Sequence, residues 1–152
     1  DVDFSHLSIN NVTVNSALND CVDFSSGNYN LGKLYLQKCG DKALSVGEKS
    51  FVQIDEINAK NSIIGIASKD SSIVNLEKGN FENLKFCLSA YKKKQEFNGG
   101  FITIKNLNCK NYYQKVDVDL NSRILLKKKL LKNNEFGNIN NQNNFNFSKL
   151  HN

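Results

Sequence analysis

One spacing of apolar residues, Φ-x-Φ-x-x-Φ-x-Φ, recurs five times along the chain, beginning at Leu7, Tyr29, Val52, Val74 and Ile102. The starting points differ by 22, 23, 22 and 28 residues. A shorter Φ-x-Φ block follows each long one: Val22 and Phe24, Leu44 and Val46, Ile66 and Ser68, Leu88 and Ala90, Val116 and Val118. A partial short block, Val2 and Phe4 followed by Ser5, precedes the first long one, so the chain is expected to begin in mid-repeat as a fragment of a longer solenoid. Alternation at period two over short stretches is a strand signal. A strand-turn-strand unit of about 22 residues cannot bury its apolar row alone, so the units must stack.

Several short strands per unit, no helical period inside a unit, and polar corners predict an all-β parallel β-helix of five to six coils over residues 1–120. A leucine-rich repeat fits worse, because no Leu-x-x-Leu-x-Leu block recurs. In-register stacking turns sequence columns into ladders. Val22, Leu44, Ile66, Leu88 and Val116 are expected to form one inward ladder, with Cys21, Ala43, Gly65 and Cys87 as a neighbouring column of small residues. Cys21 and Cys87 would then lie three coils, about 14 Å, apart. That exceeds the ~7 Å Cα limit for a disulfide, and with Cys39 and Cys109 at other heights the expectation is four free thiols.

At 39% hydrophobic and 23% charged, the 152 residues describe an ordinary packed domain and exclude a disordered or collagen-like chain. No apolar run reaches the ~18 residues of a membrane helix. Residues 1–120 carry 14 Lys against 14 acids, so the net charge of +5 comes from the tail. Within it, Ile124, Leu125, Leu126, Leu130 and Leu131 interleave with lysines and predict a short basic amphipathic helix over 121–132, capping the domain behind Asn121 or Ser122. Residues 133–152 are Asn-rich and read as a low-complexity tail. Outside the basic residues 121–152 there is no strong nucleic-acid signal.

Gly40-Asp-Lys-Ala-Leu-Ser-Val-Gly-Glu-Lys-Ser50, Gly65-Ile-Ala-Ser-Lys-Asp-Ser-Ser72 and Ala90-Tyr-Lys-Lys-Lys-Gln-Glu-Phe97 resemble coils of bacterial right-handed parallel β-helix repeat proteins of the pectin-lyase-like superfamily. Some relatives carry similar coils beside CotH-like kinase modules in larger surface or envelope proteins. The resemblance covers residues 1–120 and implies the right hand of the helix and an extracellular or cell-surface setting. It leaves activity open, since that superfamily holds lyases, hydrolases, epimerases and adhesins.

The candidate chemistry sits at one corner. Ser26, Glu48, Asp70 and Lys92 stand 22 residues apart, Lys49 and Lys69 flank them, and the fourth coil adds six residues there, in the loop 91–100. Tyr91, Lys92, Lys93, Lys94 and Lys49 are the candidate glycan-binding residues: lysines to neutralise a uronate, Tyr91 to stack on a sugar ring. Lys69, Asp70 and Glu48 are the candidate catalytic set, Lys69 as base with an acid adjusting its pKa. The competing reading is an ion-pair ladder that only fixes coil register. His6 and His151 are each expected far from this corner, which disfavours a His-based nucleophile. Asp20, Asp23 and Asp41 are too few for calcium, and no metal or cofactor is expected. The leading expectation is a noncatalytic, carbohydrate-interacting module. The alternatives are a polysaccharide lyase, hydrolase or epimerase, and a subunit that self-associates through exposed strand edges.

Overall fold

A computed structural model describes residues 1–133 and Gly137. They form a parallel β-solenoid of about six turns. The strands are β1 (Val2–Asp3), β2 (His6–Val14), β3 (Val22–Ser25), β4 (Asn28–Gln37), β5 (Lys42–Gly47), β6 (Phe51–Lys69), β7 (Ile73–Tyr91), β8 (Phe101–Val118), β9 (Arg123–Leu126) and β10 (Lys129–Leu130). The long blocks pair in the expected register, Leu7 with Tyr29, then Val52, Val74 and Ile102. The ladder from Val22 through Leu44, Ile66 and Leu88 to Val116 is likewise in register. From Leu44 onward each of its members is fully buried. The mid-repeat start is shifted by two residues: Val2 pairs with Phe24, not Val22, which places Phe4 in the column of Ser26.

Each long strand from β6 onward bends around a corner without losing its ladder. The residue that makes the bend has positive φ: Asn61 at 55°, Asn83 at 58° and Asn111 at 50°, with Lys38 at 56° in the same column. Asn tolerates the left-handed region better than most side chains, and the Asn83 amide donates to Asn61 Oδ1 at 2.7 Å, tying one bend to the next. Outside the barrel wall, opposite charges alternate between neighbouring coils, as in Lys60–Glu82 at 2.7 Å and Lys78–Glu56 at 3.2 Å. Such exposed pairs contribute little energy but penalise a slipped register.

Two expectations are corrected. No thiol is free: Cys21 is bonded to Cys39 and Cys87 to Cys109, with Cα–Cα separations of 5.3 and 6.4 Å. The distance argument holds for Cys21 and Cys87, but the pairs that form lie on adjacent coils, within disulfide reach. Phe81 pairs with Cys109, so Cys109 stands on the coil next to that of Cys87, and the bridge crosses the narrow interior between two walls. Residues 121–132 are not a helix. Ile124 lies 22 residues after Ile102 and pairs with it in parallel, so β9 extends the repeat by one more strand. The open edge of β8 supplies backbone partners that an amphipathic helix would leave unused.

The chain then reverses through Lys127 and Lys128, both at positive φ, into β10, where Leu130 pairs with Leu125. Leu131 closes over the core at 4% exposure. Asn133 caps the other edge, its amide donating to Val118 O at 2.7 Å and its Oδ1 accepting from Val118 N at 2.8 Å. The Asn-rich tail lies outside the described residues, apart from Asn133 and Gly137.

Candidate functional site

The charged corner is built from two tight turns. Gly47–Ser50 and Lys69–Ser72 each close with an i+3 to i backbone bond, of 3.3 and 3.1 Å. Their central residues, Glu48 and Lys49, then Asp70 and Ser71, all have positive φ, the signature of a type I′ turn. Buried serines stabilise the turn bases: Ser50 Oγ donates to Gly47 O at 2.6 Å, and Ser68 Oγ donates to Ser72 O at 3.0 Å.

On this base the column Ser26, Glu48, Asp70 and Lys92 forms as the spacing predicts, but most of its polar groups hold the loop 91–100. Asp70, at 1% exposure, accepts the backbone N–H groups of Lys93 and Lys94 through one oxygen, both at 2.8 Å. Ser71 Oγ accepts Asn98 N–H at 2.8 Å, and Asp119 accepts Lys92 N–H at 2.7 Å. Glu48 pairs with the Lys94 ammonium and accepts from Ser26 Oγ at 3.4 Å. The Lys94 hydrogen bond holds the Glu48 carboxyl below its usual range, against the smaller effect of its desolvation.

So anchored, the loop sets Phe97 beneath the Lys49 ammonium, 5.7 Å from the ring centroid. An open cleft of about 510 Å³ lies here, lined among others by Phe4, His6, Asn28, Glu48, Lys49 and Phe97. His6 is therefore not remote from the charged corner but part of it: β2 stacks on β4, so His6 pairs with Asn28, and Asn28 Nδ2 lies 3.2 Å from His6 Nδ1. Lys92 and Lys93 have exposed side chains on the loop. Phe4, His6, Asn28 and Phe97 were missed as site residues, although the 22-residue register already places Phe4 beside Ser26 and His6 beside Asn28.

Lys69 and Tyr91 belong elsewhere. They pair with each other across β6 and β7, and Lys69 runs back over Gly47 until its Nζ lies 4.0 Å from Asp23 Oδ1. Nearby, Lys42 bridges Asp20 at 3.2 Å and Asp41. Burial disfavours the Lys42 ammonium, but the hydrogen bond to Asp41 and the field of Asp20 outweigh it and raise its pKa. Tyr91 lies within the field of this cluster, and burial raises its phenol above 10.0. Asp20, Asp23 and Asp41 thus surround lysines, and among the described residues no group of three or more metal-binding side chains converges.

Searches of protein-family models, of curated proteins and of solved structures found no match for this chain.

Proposed function

We propose that the solenoid is a noncatalytic module of an exported bacterial protein, of the right-handed pectin-lyase-like kind that its motifs resemble, and that it holds carbohydrate in the cleft beside Phe97 and Lys49. One observation carries this reading: the carboxylates of the charged corner are committed to positioning the loop. Asp70 is buried and accepts two loop N–H groups on Oδ1, and Glu48 is paired with Lys94. Both carboxylates are occupied by the loop, whereas glycoside hydrolysis or elimination requires an acid or base presented to the substrate. Lys69, the base of the catalytic alternative, does not line the cleft.

The same groups fit binding. Phe97 and Phe4 offer faces for sugar C–H groups, while Asn28, Lys49 and Glu48 offer hydrogen bonds and charge at the cleft margin. Two disulfides favour an oxidising compartment, in keeping with export. The test is a panel of neutral and uronate oligosaccharides titrated against the native protein and against Phe97→Ala and Lys49→Ala. Binding that weakens at least tenfold in both variants supports the reading. New reducing ends or unsaturated uronate products would overturn its noncatalytic half, and no binding across the panel would overturn the whole.

A further inference from the structure

We propose that the β9–β10 hairpin at the C-terminal end of the solenoid is a second docking site, separate from the cleft, for an acidic polysaccharide. Charge is polarised along the axis. Residues 1–30 contain four aspartates and no Lys or Arg, whereas residues 101–133 contain eight Lys and Arg against Asp117 and Asp119 alone. Both of those acids are engaged internally: Asp117 accepts Ser89 Oγ at 3.2 Å, and Asp119 accepts the N–H groups of Lys92 and Asn121 at 2.7 and 2.9 Å. Lys105 is paired with Glu77, so the positive field left to the solvent at this end is chiefly that of the hairpin cations.

The hairpin concentrates that field. Lys127, Lys128, Lys129 and Lys132 are exposed, as is Arg123. None of the five forms an ion pair with a described carboxylate, whereas Lys42, Lys60, Lys78, Lys94 and Lys105 all do. Lys127 and Lys128 occupy the two central positions of a tight turn at φ 48° and 69°, where Asn and Gly are the favoured residues. In the comparable turns at 48–49 and 70–71, the first position holds an acid tied to the loop. Here both positions hold exposed cations.

The neighbouring surface suits hydroxyl groups. Lys127 closes one side of a cleft of about 310 Å³, beside Asn80, Asn106 and Asn108 over Gly79 and Leu107. Asn80 Nδ2 is held by Glu56 and Asn58 and Asn106 Nδ2 by Glu77 O, which leaves their Oδ1 acceptors, Asn108 and the Lys127 ammonium to meet a polymer that carries both hydroxyls and regularly spaced anions. Residues 114–133 contain no aromatic side chain on which a nucleic-acid base would stack.

The test measures polygalacturonate binding by the full chain over a salt series, with Lys127→Gln/Lys128→Gln/Lys129→Gln and the corresponding triple Arg variant. Thermal melts of each variant report whether the fold is retained. The expected result is affinity that falls steeply with salt, drops at least tenfold in the Gln variant, and recovers in the Arg variant. An unchanged Gln variant overturns the proposal. So does equal binding to duplex DNA or to phosphatidylglycerol vesicles, which would mark the hairpin as a general polyanion or membrane contact. Neutral oligosaccharides carry no anion for the hairpin, so loss of their binding in Lys49→Ala and Phe97→Ala reports on the cleft alone, and failure here and failure of the cleft reading are distinguishable.

Discussion

The Lys69 side chain lies across the bare Cα of Gly47. A Cβ at Gly47 would stand 2.9 Å from Lys69 Cε, and only its absence lets the ammonium reach toward Asp23 two strands away. Because the obstructing atom is the far end of a flexible side chain, Gly47→Ala is expected to cost under about 1 kcal/mol by displacing Lys69. Gly65→Ala is the contrasting case. Its Cβ would meet Cys87 O at 2.4 Å and the Phe81 ring at 2.5 Å, neither of which yields easily. A loss of about 3 kcal/mol or failure to fold is expected there. Denaturant midpoints of the two variants make the comparison, and equal midpoints would contradict it.

Asp70 holds the loop 91–100 rather than facing solvent. Asp70→Ala leaves the N–H groups of Lys93 and Lys94 without their acceptor and is expected to cost about 2 kcal/mol. Hydrogen exchange at those two amides should quicken far more than at buried β7 amides such as that of Leu88. Uniform quickening along the chain would mean that Asp70 acts on the whole fold and not on the loop.

Each disulfide ties adjacent coils. With sequence separations of 18 and 22 residues, each is expected to contribute about 3 kcal/mol, chiefly by restricting the unfolded chain. Reduction should therefore lower Tm by roughly 10 °C or more for a chain of this length. Replacing Cys87 and Cys109 by Ser should give part of that shift, with reductant adding the remainder through Cys21 and Cys39.

The Glu48–Lys94 pair makes the loop acid-sensitive. Its hydrogen bond lowers the folded-state pKa of Glu48 below 4.5. The stabilisation is thus present above the unfolded value and lost as pH falls through the folded one. Lys94→Met should flatten the acid limb of loop protection below about pH 4.5 while leaving the fold's other ion pairs untouched. Burial acts oppositely on the phenols of Tyr29 and Tyr91, raising both above 10.0. Their contribution is complete below the unfolded value and lost as pH rises through the folded one, so phenolate absorbance should show Tyr29 and Tyr91 ionising later in the folded chain than in the unfolded one.

Much of this architecture is legible in one dimension because the solenoid repeats at nearly constant length. A 22-residue offset converts directly into a Cα partner, which is how Glu48, Asp70 and Lys92 come to stand in one column. Directions are less legible than positions. Lys69 and Asp70 are consecutive, yet one lies flat along the sheet and the other turns into the loop, because a type I′ turn begins between them. The cleft was missed because Phe97 lies in the six-residue insertion, where no register applies.

Residues 121–132 show how a local pattern loses to an available partner. The window alone fits a helix, but Ile124 falls 22 residues after Ile102, and the unpaired backbone of β8 selects a strand. The sequence by itself determined the repeat length, the inward ladders, the place of the insertion and the charge of the hairpin, all of which follow from spacing and composition. Only the tertiary structure decided the disulfide partners, the direction of Lys69 and the approach of Phe97 to the corner that holds Phe4 and His6. Those depend on how side chains cross between walls and corners, and the repeat period carries no information about that third dimension.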